Sequence, residues 1–520
     1  MHQKKAVVIG AGMGGLATAI RLRASGWTVC VIEQADAPGG KARALASAAG
    51  PIDTGPTVLT LPQHADALFR LCGTRLEDEV TLHPLPRLAR HFWPDGTQLD
   101  LFADIEASAA AIEAFSSRKE AEAFRRFNTL SRNLYEAFEA PMMCSANPSL
   151  AEVARISLKR PALWPALAPG MTLERLLRRY FSDPRLVQLF ARYATYVGGR
   201  PSHTPGVLAL VWQAEAAGVW AVEEGIHGLA AALTRVAIAA GITFRFSTQA
   251  TRILRQNNRV TGVELKDGRA LRCDACVFNG DPQALNTPLL GQIEQKILPD
   301  KSKHKASLSA WVWAFAATPA GPELAHHNVF FTATPKAEFD PIGKGRMPDE
   351  PTLYICAQDR ELGRDPPETE RFEIIMNGPA DYKPSQNEDE ECKKRTFQTL
   401  QSFGLTFSPL PDKTALTTPG QLAQRFPGSL GAIYGTSPEG MMAPFKRPRA
   451  RTLLKGLYLA GGGAHPGAGV PMALLSGQHA ATALEEDLTS GSLSMPADTH
   501  GGISMASPRT ERVPSQSSAS

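Results

Sequence analysis

Residues 6–15 read Ala-Val-Val-Ile-Gly-Ala-Gly-Met-Gly-Gly, and this stretch decides the fold of the 520-residue chain. The apolar run Ala6–Ile9 predicts a buried strand, and a helix is predicted from about Gly14 to Ser25. A second strand, predicted from Thr28 to Glu33, completes a βαβ unit. Its two strands must be parallel because a helix connects them. The stretch therefore predicts an α/β protein with a glycine-rich turn between strand and helix.

The glycines of this turn have separate roles in binding a dinucleotide. Gly10 allows the tight turn, Gly12 lets a pyrophosphate approach the backbone, and Gly14 and Gly15 let the helix pack closely. The N-terminus of the helix offers free N–H groups and a partial positive charge to the phosphates. Glu33 lies at the end of the second strand, where its carboxylate can accept both ribose hydroxyls. Together these residues predict a dinucleotide-binding site.

Gly40, Lys41 and Arg43 follow soon after the second strand and can set a positive charge against the same pyrophosphate. Alone, they would indicate a glycine turn beside two solvated bases. After the βαβ unit, they resemble the extended N-terminal signature of flavoproteins with two dinucleotide-binding domains, which favours FAD over NAD. The segment Asp53–Thr57 continues this resemblance. Its residues expected near the flavin are Gly55, Pro56 and Thr57.

A second glycine-rich loop occupies residues 457–472, which read Leu-Tyr-Leu-Ala-Gly-Gly-Gly-Ala-His-Pro-Gly-Ala-Gly-Val-Pro-Met. Strand, loop and helix recur here, with Pro471 in the first helical turn, where proline is well tolerated. A helix N-terminus aimed at a flavin ring would stabilise the negative charge that the ring gains on reduction. The residues predicted to bind the cofactor here are Gly461, Gly462, Gly469, Val470, Pro471 and Met472.

Over about residues 5–485, the sequence resembles the phytoene-desaturase family of carotenoid enzymes. The segment His-Pro-Gly-Ala-Gly-Val-Pro at 465–471 is the C-terminal hallmark of that family. Within it, the sequence looks most like the 1-hydroxycarotenoid 3,4-desaturases (methoxyneurosporene dehydrogenases) of phototrophic bacteria. Ala464 departs from the family pattern, in which Thr is common, and Ile226-His227 stands where Gly-Gly-Met is frequent. The segments that support the subgroup are 193–199, 212–215, 278–282 and 471–477.

The resemblance implies that FAD accepts a hydride from an acyclic hydroxylated polyene, which gains a C3–C4 double bond. A hydride that leaves an allylic carbon produces a cation spread over the polyene, so a strong protein base is not required. No catalytic acid or base is therefore predicted, and His465 is expected to be structural. Phytoene desaturases, carotenoid isomerases, ketolases and flavin amine oxidases stay open as alternatives. So does a prenyl-lipid carrier without flavin, although Glu33 and Lys41 favour an enzyme.

Composition and charge limit the classes of partner and location. A net charge of +4 argues against a nucleic-acid-binding protein. Seven scattered cysteines favour a reducing cytoplasm over a disulfide framework. The sequence has no run of about 18 apolar residues, so no membrane-spanning helix is predicted. The first strand begins within a few residues of Met1, which leaves no room for a secretory signal. The expected location is the cytoplasm, peripheral on the inner face of the cytoplasmic membrane, and a homo-oligomer is compatible with the sequence.

The segment 155–192 carries eight basic and two acidic residues among Leu, Met and Trp. A basic, Trp-containing amphipathic segment is typical of binding in the plane of an anionic membrane, where it could gate substrate entry. A solvated helix face over the core is the alternative, and both interpretations stay open. The bases are Arg155, Lys159, Arg160, Arg175, Arg178, Arg179, Arg185 and Arg192.

Two short clusters have the spacing of metal ligands. Cys273 and Cys276 are two residues apart, and His326 and His327 are adjacent. Neither pair has a second ligand pair nearby in the sequence, whereas structural zinc needs four ligands. No metal site is expected.

The predicted architecture is a Rossmann-like FAD/NAD(P)-binding domain of the two-dinucleotide-domain flavoprotein type, with an inserted α+β substrate domain. Residues 1–90, 218–290 and 441–488 are assigned to the FAD-binding domain. Residues 91–217 and 291–440 are assigned to the substrate domain, which would face the membrane. The tail, 489–520, is rich in Ser, Thr, Pro and Gly and is expected to be disordered.

Overall fold

The computed structural model describes residues 3–291, 297–298 and 305–492. The chain forms one compact unit that ends at Leu484, and a second unit begins at Glu485. Within the described ranges, no helix combines the length and the apolar character needed to cross a bilayer.

A five-stranded parallel sheet carries the predicted βαβ unit. Its order is Leu457–Leu459, Ala275–Phe278, Lys5–Ile9, Thr28–Ile32 and Thr243–Arg245. Residues of the three middle strands are almost all buried, since parallel sheets are covered on both faces. The sheet therefore joins chain segments from both ends and the middle of the sequence.

Smaller elements complete this part of the molecule. An antiparallel three-stranded sheet consists of Ala250–Gln256, Arg259–Leu265 and Ala270–Arg272. Two hairpin-like pairs join Ala44–Leu45 to Ile52–Asp53, and Leu82–Leu85 to Val219–Val222. The α-helices are Met13–Ala24, Gln63–Leu71, Leu76–Glu79, Gly225–Ala239 and Val470–Ser492.

A large mixed sheet forms the second layer of the fold. Its strands, in order, are Thr406–Ser408, Ser309–Ala320, Glu370–Gly378, Leu353–Ala357, His327–Phe330, Arg87–Phe92 and Gln98–Phe102, with Leu416–Thr417 beside Ser309–Ala320. All pairs are antiparallel except His327–Phe330 with Arg87–Phe92. One face packs into an aromatic core that includes Phe397 and Leu400 of the helix Glu388–Ser402. The other face is free to line a cavity.

A helical region lies beside the large sheet, and its apolar residues recur at helical spacing over 105–200. Its core contains a cluster of contacting aromatic rings, which includes Phe124, Phe127, Phe190 and Trp212. Its helices are Ile105–Phe115, Arg118–Phe138, Leu150–Lys159, Trp164–Leu167, Leu173–Tyr180, Pro184–Ala191 and Val211–Ala216. The remaining α-helices of the molecule's described part are Pro335–Gly343, Glu388–Ser402, Pro419–Arg425 and Ala443–Lys446.

The α/β class with its Rossmann-type sheet is confirmed, and several boundaries differ from the sequence analysis. The expected domain boundary at residue 90 falls inside the strand Arg87–Phe92, so the division into domains stays a prediction. The last helix continues to Ser492, past Leu488, where the assigned FAD-binding domain ends, although Thr, Ser and Gly at 489–492 are weak helix formers. Residues 493–520, the rest of the expected disordered tail, lie outside the described residues.

Candidate active site

The first glycine loop, Gly10–Gly15, has the close backbone contacts that require glycine. Gly10 has a φ of +102°, a conformation that L-residues rarely adopt. A Cβ at Gly15 would overlap the carbonyl oxygen of Gly10. A Cβ at Gly12 would lie 2.8 Å from Nδ2 of Asn279, and Gly12 precedes the first residue of the helix Met13–Ala24. The loop therefore leaves an open cradle at a helix N-terminus, where an anion binds well.

Glu33 follows the second parallel strand and is almost fully buried. Its Oε2 accepts a hydrogen bond from the backbone N–H of Ala11 at 2.7 Å, and its Oε1 accepts one from Ala35 at 2.9 Å. Each carboxylate oxygen has a second lone pair, so both can still accept a hydroxyl. The structure thus holds the carboxylate beside the first glycine loop in a fixed orientation.

The first glycine loop and the C-terminal glycine loop and helix are in direct contact through their glycines. A Cβ at Gly14 would lie 2.5 Å from the backbone nitrogen of Gly461, and a Cβ at Gly477 would overlap the carbonyl oxygen of Gly14. The hydroxyl of Thr18 donates to the carbonyl oxygens of Gly14 at 2.8 Å and Gly477 at 3.2 Å. The first and last helices therefore cross at a glycine contact that brings both glycine loops to one place.

One cavity of about 1670 Å³ contacts nearly all the predicted cofactor residues. It is larger than a usual ligand pocket, which measures about 300–1,000 Å³. Gly15 is not in its wall, in keeping with a packing role. The predicted residues that line it are Gly10, Gly12, Gly14, Glu33, Gly40, Lys41, Arg43, Gly55, Pro56, Thr57, Gly461, Gly462, Gly469, Val470, Pro471 and Met472.

Lys41 and Arg43 are partly buried cations in this wall, not solvated bases. Nζ of Lys41 donates to the carbonyl oxygens of Ala432 at 3.3 Å and Ile433 at 2.8 Å. Burial lowers the pKa of Lys41 to about 8 and that of Arg43 to about 10. Nη2 of Arg43 donates to Oγ1 of Thr417 at 2.8 Å. Lys41 therefore braces a distant loop, and its ammonium is not aimed solely at the pyrophosphate position expected from the sequence.

The sequence analysis missed a third buried cation, Arg447. Its guanidinium donates to the carbonyl oxygens of Gly462, Tyr434 and Thr436. Burial lowers the pKa of Arg447 to about 10, and the charge of Asp281 opposes that shift. No local pattern marks Arg447, because its relation to the glycine loop depends on tertiary packing.

Asn279 was quoted only as part of a subgroup segment, yet it touches both glycine loops. Its Nδ2 donates to the carbonyl oxygen of Gly10 at 3.3 Å, and its Oδ1 is buried without a partner among the described residues. The same Oδ1 would lie 2.6 Å from a Cβ at Gly461. An unsatisfied buried acceptor, a glycine cradle and buried cations fit a dinucleotide with an anionic centre.

His465 and Asp53, which belong to the two motifs quoted from the sequence, have structural roles here. Nε2 of His465 donates to the carbonyl oxygen of Ser145 at 2.9 Å, and burial lowers the pKa of His465 to about 4. The carboxylate of Asp53 accepts from the N–H of Ile226 and from Nδ1 of His227, both at 2.6 Å. Asp53 thus fixes the start of the helix Gly225–Ala239 and, with it, the segment expected near the flavin.

A second set of buried polar groups lines the cavity away from the glycine loops. Arg192, expected to be a surface base, is buried instead, because its helix end turns into the cavity wall. Its Nη2 lies 3.8 Å from Oε1 of Glu215, and its Nη1 donates to the hydroxyl of Tyr196 at 2.7 Å. Burial raises the pKa of Glu215, and Arg192 opposes that shift. The basic segment 155–192 is therefore not a single solvated face.

The two clusters with metal-like spacing differ in the structure. Cys273 and Cys276 are buried, and burial raises the pKa of both thiols. The ligand atoms of His326, His327 and Cys356 lie within 4.8 Å of one another, so these three buried residues could hold an ion. Three ligands are one fewer than structural zinc requires.

An oxidoreductase that binds a flavin dinucleotide is the class that this arrangement defines. The anion cradle and the ribose acceptor lie at one end of the cavity, and a second helix N-terminus at Val470 points into the same space. A family model described as flavin containing amine oxidoreductase matches residues 13–484. The chain belongs to this family of flavoproteins, and FAD is its cofactor.

Within this family, the chain is similar to carotenoid desaturases of known name. The chain is 61% identical to a hydroxyneurosporene desaturase of Rhodobacter capsulatus over 92% of this chain and 97% of the relative. It is 57% identical to a hydroxyneurosporene desaturase of Cereibacter sphaeroides, over 94% and 99% of the two chains. A 1-hydroxycarotenoid 3,4-desaturase of a Flavobacterium species is 31% identical over 91% and 97%.

Solved structures agree on the fold. Putrescine oxidase with bound putrescine superposes with a TM-score of 0.59 at 12% identity, over 94% of this chain and 99% of that one. An oxidoreductase of Methanosarcina mazei has a TM-score of 0.57 at 18% identity, over 92% and 100%. At these identities the likeness concerns the fold alone.

Proposed function

We propose that this protein is an FAD-dependent desaturase that introduces a C3–C4 double bond into an acyclic 1-hydroxycarotenoid. The observation that carries the proposal is the 61% identity, over nearly the whole length, to a hydroxyneurosporene desaturase. The cavity of about 1670 Å³ supports it, because it has room for a long apolar chain beside a dinucleotide. Carotenoid biosynthesis is the process in which such a reaction takes place.

The protein's contribution is to hold the cofactor, orient the substrate and shield the reaction from water. The first glycine loop would bind the pyrophosphate, Glu33 the ribose, and the second glycine loop the flavin ring. Bound FAD supplies the hydride acceptor. The substrate loses a hydride from its allylic carbon and a proton from the neighbouring carbon, and these two losses leave one new double bond. Buried walls exclude water from the cation that forms between the two losses.

Access from a membrane is supported by the surface beside the cavity. Leu150, Met441 and Met442 are about half exposed, and they also line the cavity. Leu158 and Trp164, 75% and 53% exposed, lie on the same helical stretch as Leu150. A polyene dissolved in lipid would enter where such side chains insert into the bilayer surface. We infer peripheral binding at this surface, on the anionic cytoplasmic leaflet.

Exposed bases surround this apolar patch. Arg155, Lys159, Arg160, Arg175, Arg178 and Arg179 are exposed, whereas Leu163 and Leu176 of the same segment are buried. The segment is therefore amphipathic in three dimensions once Arg185 and Arg192, which are not exposed, are set aside. Each base near an anionic surface contributes about 1 kcal/mol of attraction.

The test of the reaction uses the purified protein in liposomes under anaerobic conditions. 1-Hydroxyneurosporene, neurosporene and phytoene are supplied separately, and flavin bleaching and the product spectrum are followed. We expect bleaching and a red-shifted product from the hydroxylated polyene. Turnover of phytoene instead would make the protein a general desaturase. A protein that carries no flavin would point to the lipid-carrier alternative.

The test of membrane binding is flotation with vesicles that contain phosphatidylglycerol. Reversal of Arg175, Arg178 and Arg179 to Glu should weaken binding by more than about 100-fold, because the loss of three bases removes about 3 kcal/mol and the three new carboxylates are repelled as well. Leu158→Ser with Trp164→Ser should weaken it without changing its salt dependence. Leu410→Ser, at an exposed leucine in a loop outside this segment, is the control and should bind normally. Unchanged flotation of the charge-reversed protein would contradict the proposal.

A further inference from the structure

Glu373 is a buried carboxyl group whose oxygens have no hydrogen-bond partner in the part of the chain that the structure describes. It lies in the strand Glu370–Gly378 of the large sheet and is 0% exposed. Because side chains alternate along a strand, Phe372 and Ile374 enter the aromatic core, and Glu373 faces the cavity. Both of its carboxyl oxygens lack a hydrogen-bond partner among the described residues. A buried group of this kind costs free energy unless a ligand satisfies it.

Three residues near Glu373 have polar groups that make hydrogen bonds elsewhere. The hydroxyl of Tyr354 contacts Oγ1 of Thr57 at 2.6 Å and Nδ1 of His327 at 2.8 Å. Arg43 donates to Thr417, and the carboxylate of Asp53 accepts from the start of a helix. Directly across the sheet from Glu373 stand Ala314 and Cys356. Glu373 itself is one of the residues that line the cavity.

The surroundings of Glu373 decide its protonation. Burial raises the pKa of Glu373 well above its ordinary value, the charge of Asp53 raises it further, and Arg43 opposes both. The raised pKa favours the protonated form, which has one O–H donor and one carbonyl acceptor. An alcohol also has one O–H donor and an acceptor oxygen, so the two groups can exchange two hydrogen bonds. A protonated carboxyl group is also a poor proton acceptor, which argues against Glu373 as a base.

Glu373 lies near the reacting end of the cavity. The strand Ile52–Asp53, which leads into the segment expected near the flavin, packs against the strand of Glu373. On the other side is Tyr434, whose neighbour Gly435 approaches the second glycine loop so closely that a Cβ there would lie 2.9 Å from Gly463 Cα. The carboxyl group thus faces the space between the two cofactor segments.

We propose that Glu373 binds the hydroxyl group of the carotenoid and thereby selects hydroxylated polyenes and positions the C3–C4 bond. This inference rests on the proposed function. The hydroxyl is the one polar group of such a substrate, and its carbon is two bonds from C3. Whatever holds the hydroxyl therefore also sets which carbon–carbon bond lies at the hydride acceptor. In free enzyme the site is unsatisfied, and a polyene without the hydroxyl leaves it so.

The experiment compares kcat/KM for 1-hydroxyneurosporene and for neurosporene in liposomes, in the wild type and in Glu373→Leu and Glu373→Gln. A site that hydrogen-bonds a buried hydroxyl discriminates by about 10⁴–10⁵, whereas an apolar pocket discriminates by about 10². In Glu373→Leu we expect the preference for the hydroxylated substrate to fall by about 100-fold or more. The loss should come from the hydroxylated substrate alone, and Glu373→Gln, which keeps a donor and an acceptor, should recover part of it.

Glu338→Gln is the matched control. Glu338 is also a buried carboxyl group in the cavity wall, but its Oε1 accepts a hydrogen bond from Nδ2 of Asn377 at 2.9 Å. Its substitution should change both substrates by the same factor. FAD content, measured from the visible spectrum, should equal that of the wild type in every variant.

Several outcomes would overturn the inference. An equal loss for both substrates in Glu373→Leu, with no recovery in Glu373→Gln, would indicate proton transfer or a structural role. Loss of preference in Glu215→Gln with an unchanged Glu373→Leu would move the hydroxyl to the Arg192–Glu215 pair. A wild type that turns over no hydroxylated polyene would instead refute the proposed function. These readouts keep the two failures apart.

Discussion

Replacement of Gly14 by alanine would test whether the contact between the two glycine loops shapes the cofactor site. The added Cβ would lie 2.5 Å from the backbone nitrogen and 2.7 Å from the Cα of Gly461, and 2.8 Å from Oδ1 of Asn279. Ordinary van der Waals contact begins at about 3.4 Å. All of the crowded groups belong to backbone or to a buried amide, so the loops themselves must move apart.

The magnitude follows from overpacking. An extra carbon in a tightly packed site costs about 1–3 kcal/mol. The helix propensity of alanine offsets up to about 1 kcal/mol of this cost in a helix interior and less in the first turn. If the strain is relieved by opening the cofactor loops, the affinity for FAD falls about 5- to 150-fold.

The assay is titration of the apoprotein with FAD, followed by flavin fluorescence, together with thermal unfolding of the holoprotein. Gly420→Ala is the matched control, because Gly420 is also the second residue of a helix. The nearest atom to its added Cβ is Oγ1 of Thr418 at 3.7 Å, so this variant should be as stable as the wild type or more so. Wild-type affinity and stability in Gly14→Ala would refute the reasoning.

Three further expectations concern buried carboxyl groups. Asp53→Asn should lower the free energy of unfolding by about 0.5–2 kcal/mol, because it weakens the contacts at the start of Gly225–Ala239; urea unfolding measures this. Removing either Arg192 or Glu215 should cost about 3–5 kcal/mol, and the double variant with two leucines should recover part of that in the same assay. Burial raises the pKa of Glu338 from 4.5 to about 7, so its stabilising effect is present below pH 4.5 and is lost as pH rises through 7. The difference in unfolding free energy between wild type and Glu338→Gln should shrink over that range, and a constant difference would count against the assignment.

Features that depend on neighbouring residues were predictable. The first glycine loop was predictable because its backbone conformation, with a φ of +102° at Gly10, itself requires glycine. The second loop, at 461–469, is recognisable for the same reason. Apolar alternation at 242–246, 260–265 and 273–278 predicts three strands, and the strands Thr243–Arg245, Arg259–Leu265 and Ala275–Phe278 agree with those bounds to within two residues. Glycine turns and apolar alternation depend only on residues a few positions apart, so they can be recognised in the sequence without knowledge of the fold.

Features that depend on distant pairing were not predictable. The strand Arg87–Phe92 pairs in parallel with His327–Phe330, and no local pattern specifies that partner. Arg192 was counted among surface bases, since composition alone cannot show that its side chain turns inward to Glu215. Which of the bases face solvent depends on how the short helices between Leu150 and Ala191 pack together.

By itself, the sequence determined the dinucleotide-binding turn, the second glycine loop and, through resemblance, the flavin desaturase class. These follow from glycine conformations and short spacings that a chain must satisfy locally. The tertiary structure alone decided that Arg447 and Asn279 join the cofactor site and that Glu373 stands unpaired in the cavity wall. A side chain's partner, and the cost of having none, depend on burial, and burial is set only when distant segments pack together.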